Sequence, residues 1–237
     1  MGEKNKKVLI IFGAPGAGKG TQAQLLSEAL DFFYLETSKV LEENFKNEED
    51  DRFLLIDGEK YDTLKEKKLW QEGILCSPPF VVFLIKKKIK KLFDAGESII
   101  LAGSPRTIYE SSKVIPFLKE LYGEKNIKTV LVNITPEETI KRNSKRRICS
   151  LMRHPIIYTE ETKDLKKCPL DGSKLMKREG LDDVETIKIR LKEYESRTFP
   201  VVEDMKKQGI EVKSIDGSGS PVDIFEEIIK KLGEFAN

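Results

Sequence analysis

The chain has 237 residues, a length suited to one large domain or to one core with insertions. Its 42 Lys and Arg residues nearly balance its 40 Asp and Glu residues, which argues against a protein that blankets nucleic acid or anionic membrane with positive charge. Charged residues make up 35% of the chain against about 25% on average, but 39% hydrophobic residues indicate a globular fold with a charged surface. Three cysteines exclude a disulfide framework and indicate a reducing compartment.

No run of apolar residues approaches the ~18 residues of a membrane span. The start of the chain, Met1–Lys7, is polar, and the apolar run Val8–Phe12 is too short for the core of a signal peptide. We therefore expect a cytoplasmic monomer that binds neither membranes nor nucleic acids.

Short apolar runs alternate with longer amphipathic stretches along the chain. Helical spacing follows the first apolar run over Lys19–Leu30, and a last helix is predicted around Val222–Leu232. Apolar strands separated by helices are typical of a parallel sheet covered on both faces. The sequence thus predicts an α/β fold with a five-stranded parallel sheet. The predicted strands are Val8–Phe12, Phe32–Leu35, Ser98–Leu101, Thr129–Ile134 and Ile210–Ile215.

Two segments interrupt this alternation. Residues of about 40–78 are rich in charge and lack a strand in register, and residues of about 148–181 contain two cysteines, the histidine and no clear helix. Both are predicted to be inserts on the rim of the sheet.

The run Lys86–Lys91 has two interpretations. It fits a patch for nucleic acid or for localisation, and it also fits the solvated face of a helix. The balanced overall charge favours the helix. Its inward positions are then Val82, Ile85, Ile89 and Leu92.

A glycine-rich loop of sequence GAPGAGKGT, residues 13–21, lies between the first strand and the first helix. Glycines let backbone N–H groups converge on phosphate oxygens, and the start of a helix adds positive potential. Lys19 supplies a point charge for the β and γ phosphates. The loop therefore predicts a nucleotide site. The residues predicted to hold the nucleotide phosphates are Gly16, Ala17, Gly18, Lys19, Gly20 and Thr21.

The chain resembles the adenylate kinase family of nucleoside monophosphate kinases, whose loop reads GxPGxGKGT. The segment Gly103–Thr107 resembles that family's GFPRT motif, and later arginines follow in the family's order. The resemblance implies a P-loop kinase core over residues 1–37, 80–147 and 182–237. It also implies a mobile monophosphate-binding insert over 38–79 and a mobile lid over 148–181.

The resemblance implies transfer of the γ-phosphoryl group of ATP, bound with Mg²⁺, to a nucleoside monophosphate, with AMP as the first choice. Planar guanidinium groups suit this chemistry because they bind phosphate oxygens in pairs. The implied catalytic residues are Lys19, Arg106, Arg142, Arg146, Arg178 and Arg190, and Arg142, Arg146 and Gly217 also bind ATP. The implied monophosphate-binding residues are Thr37, Leu75, Cys76, Gly103, Arg106, Glu110, Arg178 and Arg190.

Spacing adds two local predictions about these charged residues. Arg142 and Arg146 are four residues apart in the helix that follows Pro136, so we expect them to share a face. Asp182 and Glu185 have the spacing of a capping box at the start of the helix that carries Arg190. Asp182 and Asp183 are therefore interpreted as helix-capping charges rather than as metal ligands.

Four acceptor-side positions depart from the family. Thr37-Ser38-Lys39 stands where the family has Thr-Gly-Asp, and Glu42 stands where it has a phosphate-binding arginine. Ala102 replaces the aspartate that orders the hydration shell of Mg²⁺, which leaves the ion to phosphates, waters and Thr21. These departures predict weakened but magnesium-dependent catalysis, and they keep open a degenerate member that binds nucleotides without turnover.

The fourth departure, Glu110, bears on the acceptor base. The family has an adenine-reading glutamine there, whereas a carboxylate only accepts hydrogen bonds and suits the two adjacent donors of guanine. The hypothesis is that the acceptor base is not adenine, as with GMP, or that Glu110 does not read the base.

Cysteines in the second insert predict a zinc site. Cys168 with Asp171 resembles the second half of the zinc-bearing lid of the family. The first half departs, because Met152 stands at a cysteine position, and His154 is expected to join Cys149 as the nitrogen ligand. The alternative is two buried thiols and an ordinary loop histidine; Cys76 lies outside and is interpreted as a small apolar residue. A zinc-knuckle nucleic-acid binder is a further alternative, but acidic residues interleave with the lid's lysines and argue against it.

Overall fold

The computed structural model describes residues 5–46, 52–153, 155–177 and 182–236. Strands and helices alternate over most of this length. The strands are β1 (Val8–Gly13), β2 (Phe33–Glu36), β3 (Phe53–Ile56), β4 (Glu59–Asp62), β5 (Ile99–Ala102), β6 (Ile127–Asn133), β7 (Arg147–Cys149), β8 (Pro155–Ile156), β9 (Leu175–Met176) and β10 (Val212–Asp216). The α-helices are α1 (Lys19–Leu30), α2 (Thr37–Lys46), α3 (Thr63–Gln71), α4 (Pro78–Asp94), α5 (Ile108–Tyr122), α6 (Pro136–Lys145), α7 (Val184–Glu193), α8 (Phe199–Lys207) and α9 (Pro221–Leu232). A π-helical turn, Tyr194–Thr198, joins α7 to α8.

Five parallel strands form the central sheet in the order β10-β6-β1-β5-β2. Strand β1 is buried along its whole length because it lies between β5 and β6 and helices cover both faces. Its residues alternate between two apolar clusters: Leu9 and Ile11 pack with α1 and α9, and Val8 and Ile10 pack with α4, α5 and α8. This arrangement confirms the predicted α/β fold with a five-stranded parallel sheet.

The segment of about 40–78 contains two strands that were not predicted from the sequence. Strands β3 and β4 pair antiparallel with each other, and Asp57-Gly58 joins them with positive φ angles of 50° and 84°. Such a turn is typical of a two-residue hairpin. The side chain of Asp62 then caps α3 by accepting a hydrogen bond from the Leu64 N–H at 3.0 Å.

The segment of about 148–181 forms a small antiparallel sheet of β7, β8 and β9. Its described part contains no α-helix, as predicted. Its core is small and consists of Cys149, Ile156, Cys168 and Leu175.

The lysine run 86–91 lies within helix α4. The four predicted inward positions of this helix are all buried, which confirms the interpretation as a solvated helix face. None of the helices in the described ranges combines the length and the apolar character that a bilayer span requires.

Candidate active site

The glycine-rich loop lies between β1 and α1, as the motif predicts. Gly18 is the N-cap of α1 with a positive φ of 85°, and it offers no side chain to the first N–H groups of the helix. Gly16 also has a positive φ, and a Cβ atom there would collide with the side chain of Asn143. The loop therefore leaves a helix N-terminus open to an anion.

The ammonium group of Lys19 is folded back onto this loop. Its Nζ donates hydrogen bonds to the carbonyl oxygens of Gly13 at 2.7 Å and of Ala14 at 2.9 Å. Burial is the largest cause that lowers the pKa of Lys19 to about 7. The positive charges of three arginines also lower this pKa, and the carboxylate of Glu36 raises it. The arginines are Arg106, Arg190 and Arg146.

Asp182 joins two of these arginines. Arg146 donates to both carboxylate oxygens of Asp182, with Nε 3.0 Å from Oδ2, and Nη1 of Arg190 lies 4.0 Å from Oδ1. The Asp182 side chain is only 1% exposed. A buried carboxylate with two guanidinium partners holds those partners in place beside the phosphate loop.

Two of the spacing predictions about these residues were wrong. Helix α6 ends at Lys145, and Arg146 has an extended backbone, so Arg142 and Arg146 do not share a helix face. The N-cap of α7 is Asp183, which accepts a hydrogen bond from the Thr186 N–H at 2.9 Å. Asp182 is therefore not part of a capping box, because its carboxylate is used by the arginines.

Arg142 contacts the turn that carries Gly217. Nη2 of Arg142 is 3.5 Å from the carbonyl oxygen of Ser218, and Nε donates to Glu138 at 2.7 Å. The backbone of Gly217 is packed against β6, where a Cβ atom would come within 2.8 Å of the Asn133 carbonyl oxygen.

The segment after β5 brings Gly103 and Arg106 into contact with Thr37 at the start of α2. A Cβ atom on Gly103 would lie 2.9 Å from Nη2 of Arg106 and 3.4 Å from the Thr37 side chain. Gly103 has a positive φ of 94°, and the Ser104–Pro105 peptide bond is cis. Three of the predicted monophosphate-binding residues therefore line one corner.

Glu110 is tied to this same segment. It is 2% exposed, and its Oε2 accepts hydrogen bonds from the Arg106 N–H at 2.9 Å and from the Ser104 hydroxyl at 3.0 Å. Its Oε1 accepts from the Thr107 hydroxyl at 3.3 Å, and Thr107 in turn caps the Glu110 N–H. Burial raises the pKa of Glu110, while the hydrogen bonds act to lower it.

Leu75 lies against the helix that carries Arg190, and Cys76 lies against α3, where its Sγ is 3.4 Å from the Glu66 carbonyl oxygen. The Leu75 N–H donates to Oε2 of Glu193 at 3.3 Å, and a Cβ atom on Gly73 would lie 3.2 Å from the Arg190 side chain. Burial raises the pKa of the Cys76 thiol to about 12. Glu193 was not predicted from the sequence, since nothing in the local pattern distinguishes it from the other glutamates of an amphipathic helix.

The lid cysteines also meet as predicted. The ligand atoms of Cys149, Cys168 and Asp171 all lie within 4.8 Å of one another, and Cys149 Sγ is 3.0 Å from Asp171 Oδ2. Ser173 fixes the other carboxylate oxygen with its N–H at 2.9 Å and its hydroxyl at 2.7 Å. Two thiols and a carboxylate are a donor set that suits Zn²⁺. His154 and Arg178 lie outside the described residues.

These features define a class of protein before any comparison. A glycine loop at a helix N-terminus, a lysine in that loop and arginines around it, at the carboxyl edge of a parallel sheet, are typical of a P-loop α/β nucleotide-binding protein. The family model described as adenylate kinase matches residues 11–210. The chain belongs to the adenylate kinase family.

Curated relatives support this assignment over nearly the whole chain. An adenylate kinase of Caldicellulosiruptor bescii is 34% identical over 227 residues, which cover 95% of this chain and 98% of the relative. Adenylate kinases of Methanothrix thermoacetophila and Petrotoga mobilis are 32% and 30% identical over 228 residues, which cover 96% of this chain.

Proposed function

We propose that this chain catalyses transfer of the γ-phosphoryl group of ATP to AMP, giving two ADP molecules. The observation that carries the proposal is the glycine loop at the start of α1, with Lys19 bonded to its carbonyl oxygens and with arginines close enough to lower the pKa of that lysine. An oxygen of the AMP phosphate attacks the γ phosphorus, and the bond from that phosphorus to the β–γ bridging oxygen breaks. No covalent enzyme intermediate is needed, because the protein's work is to position the phosphates and to neutralise their charge.

Each side of the site has a proposed role. On the donor side, the loop from Gly16 to Thr21 holds the ATP phosphates, Arg146 neutralises them, and Arg142 with Gly217 holds the adenine end. On the acceptor side, Thr37, Leu75, Cys76, Gly103 and Arg106 bind AMP. Arg178 and Arg190 are proposed to clamp the transferred group, and the contact of Arg190 with Asp182 supports that position.

The two inserts are proposed to close over the nucleotides. We assign residues 38–79 to the monophosphate-binding insert and 148–181 to the lid, with the core in 1–37, 80–147 and 182–237. Each insert has strands that pair only within it, which supports its behaviour as a separate unit. Closure excludes water from the transfer.

Two metal ions fit the residues present. Mg²⁺ is proposed to bind with ATP, and the hydroxyl oxygen of Thr21 in the phosphate loop is a donor that suits it; when bound, it would neutralise phosphate charge. Zn²⁺ is proposed to bind Cys149, Cys168 and Asp171, with His154 as fourth ligand; when bound, it stabilises a lid whose apolar core is small.

The balanced charge and the small number of cysteines support a cytoplasmic protein without a membrane or nucleic-acid partner, and we propose that it acts as a monomer.

AMP remains the proposed acceptor despite Glu110. The Glu110 carboxylate is used by the Ser104, Arg106 and Thr107 groups of its own loop, which favours the hypothesis that it does not read the base. The test is a panel of nucleoside monophosphates with ATP, with and without Mg²⁺, followed by ADP formation. We expect AMP to be used best and only with Mg²⁺. A higher kcat/KM for GMP, or ATP binding without ADP formation, would contradict the proposal.

The zinc proposal is tested separately by elemental analysis of the purified protein. We expect about one Zn²⁺ per chain, lost in Cys168→Ser and kept in Cys76→Ser, because Cys76 lies outside the lid cluster. Absence of zinc from protein purified without chelators would remove the site from the proposal.

A further inference from the structure

The carboxylate of Glu36 lies beside Ala102 at the edge of the central sheet. Glu36 is the last residue of β2, Ala102 is the last residue of β5, and the two are paired in register. Both strands are parallel, so both residues lie at the carboxyl edge of the sheet, where α1 and the phosphate loop begin.

Strand alternation places Glu36 on the same face of the sheet as Ala102. Leu35 packs in the apolar cluster under α4, whereas Tyr34 and Ala102 belong to the cluster on the α1 face. The Tyr34 hydroxyl reaches the start of α1, since it lies 3.4 Å from the place of a Cβ atom on Gly20. Two residues further along β2, Glu36 therefore faces the phosphate loop, consistent with its electrostatic effect on Lys19.

The Glu36 carboxylate is oriented and reachable by solvent. The Ser38 hydroxyl donates to Oε1 at 2.6 Å, and Lys39 Nζ lies 3.8 Å from Oε2. Its side chain is 31% exposed, in contrast to the fully enclosed carboxylates of Glu110 and Asp182. Glu36 is thus positioned to accept further hydrogen bonds from water at the edge of the phosphate loop.

P-loop enzymes hold Mg²⁺ with a hydroxyl of the loop and with an acid from a neighbouring strand. Thr21 supplies the hydroxyl here, but the strand beside β1 ends in the methyl group of Ala102. We infer that Glu36, one strand further out, is the carboxylate that orients the metal's water ligands for the ATP complex. This inference rests on the proposed function, and it makes Glu36 a positioning residue for the metal.

The test measures Mn²⁺ binding to the enzyme–ATP complex by electron paramagnetic resonance, without AMP. We expect Glu36→Gln to weaken Mn²⁺ binding on the order of tenfold, as loss of an outer-shell carboxylate does. Metal-free ATP should bind Glu36→Gln at least as tightly as wild type, because a negative charge near the phosphates is removed. The matched control is Glu43→Gln, an exposed glutamate of α2 paired with Lys88, which should match wild type in both measurements.

The two measurements separate the inference from a structural role. If Glu36 only holds Ser38 and Lys39 in place, Glu36→Gln should lower the affinity for metal-free ATP and for Mn²⁺ together, and the inference is overturned. It is equally overturned if Mn²⁺ binding equals that of Glu43→Gln. Should Glu36→Gln fail to fold, Glu36→Asp keeps the charge on a shorter side chain and is expected to weaken Mn²⁺ binding severalfold; wild-type affinity would overturn the inference.

A swap of the acid between the strands sharpens the test. In Glu36→Gln/Ala102→Asp the carboxylate moves to the neighbouring strand at the same register, and we expect Mn²⁺ affinity to return to within about threefold of wild type. No recovery contradicts the inference. Failure of the proposed function appears differently: wild type would then make no ADP from AMP, while Mn²⁺ titration would still report on Glu36.

Discussion

The carboxylates on the two proposed sides of the site differ in what they contact. On the proposed donor side, Asp182 binds Arg146 and also contacts Arg190, so its partners are guanidinium groups. On the acceptor side, buried Glu110 and Glu66 accept hydrogen bonds from backbone N–H groups, those of Arg106 at 2.9 Å and Ser77 at 2.7 Å. These two acids are used by the protein's own backbone. A charged side chain at a position where the family binds its ligand is therefore not by itself evidence of ligand binding.

The largest expected effect is on the donor side. Lys19→Met removes the ammonium group that lies on the phosphate loop, and we expect kcat for ADP formation to fall at least about 10²- to 10³-fold. The control is Lys206→Met in α8, where an exposed lysine pairs with Glu203 and the charge change is the same. If Lys19→Met keeps more than about a tenth of wild-type kcat, the donor side does not work as a charge-positioning site.

Asp182→Asn tests whether the donor-side acid holds the arginines. The amide keeps the shape but leaves two guanidinium groups without their counter-charge, and we expect the free energy of unfolding to fall by about 1–3 kcal/mol. ATP should raise the melting temperature of this variant more than that of wild type, because the phosphates supply the missing negative charge.

The neighbouring acid provides the control for that experiment. Asp183→Asn makes the same charge change one residue away, where asparagine still caps α7, so we expect stability and the ATP-induced shift to stay near wild type. Equal behaviour of the two variants would show that Asp182 has no special relation to the arginines.

The sequence predicts the parallel sheet better than it predicts the hairpin of the first insert. Continuous apolar runs such as Val8–Phe12 predict the parallel sheet well, because a short, unbroken apolar run between helical segments is typical of a strand buried on both faces. The hairpin β3–β4 was missed although Asp57-Gly58 is a strong turn signal, since β3 (FLLI) does not alternate with polar residues and β4 (EKYD) is mostly charged.

Residues of the site were harder to predict where contacts between distant parts of the sequence determine their position. Asp182 has the spacing of a cap, and only the fold brings it to Arg146, 36 residues earlier in the sequence. Glu36 has no distinguishing neighbours within its strand, and its position beside Ala102 depends on the pairing of β2 with β5. The phosphate loop, in contrast, is local in sequence, and its motif therefore predicts its geometry directly.

A smaller effect concerns the proton on Lys19. Its pKa of about 7 without nucleotide means that the amine is largely neutral at pH 8 and charged at pH 6. Phosphate oxygens favour the charged form and raise this pKa, so ATP binding should take up close to one proton at pH 8 and almost none at pH 6. Calorimetry of metal-free ATP binding in buffers of different ionisation enthalpy measures this uptake.

Lys19→Arg separates the lysine proton from the titration of ATP itself. A guanidinium group stays charged at both values of pH, so this variant should bind ATP at pH 8 with about one proton fewer taken up than wild type. The same proton uptake in both proteins would mean that the ammonium group is already charged before ATP binds.

The smallest expected effect is on the acceptor side, in Glu110→Gln. The glutamine carbonyl oxygen can replace Oε2 as the acceptor for the Arg106 N–H and the Ser104 hydroxyl, and its amide can donate to the Thr107 hydroxyl. We therefore expect the ratio of kcat/KM for AMP to that for GMP to change by less than about threefold. Glu110→Ala, which removes all three bonds, should instead raise the KM for AMP through disorder of the Arg106 loop. A change in the AMP-to-GMP ratio on the order of 10²-fold in Glu110→Gln would show that the carboxylate reads the base, because a recognition bond that is lost or reversed at a buried site has an effect of that size.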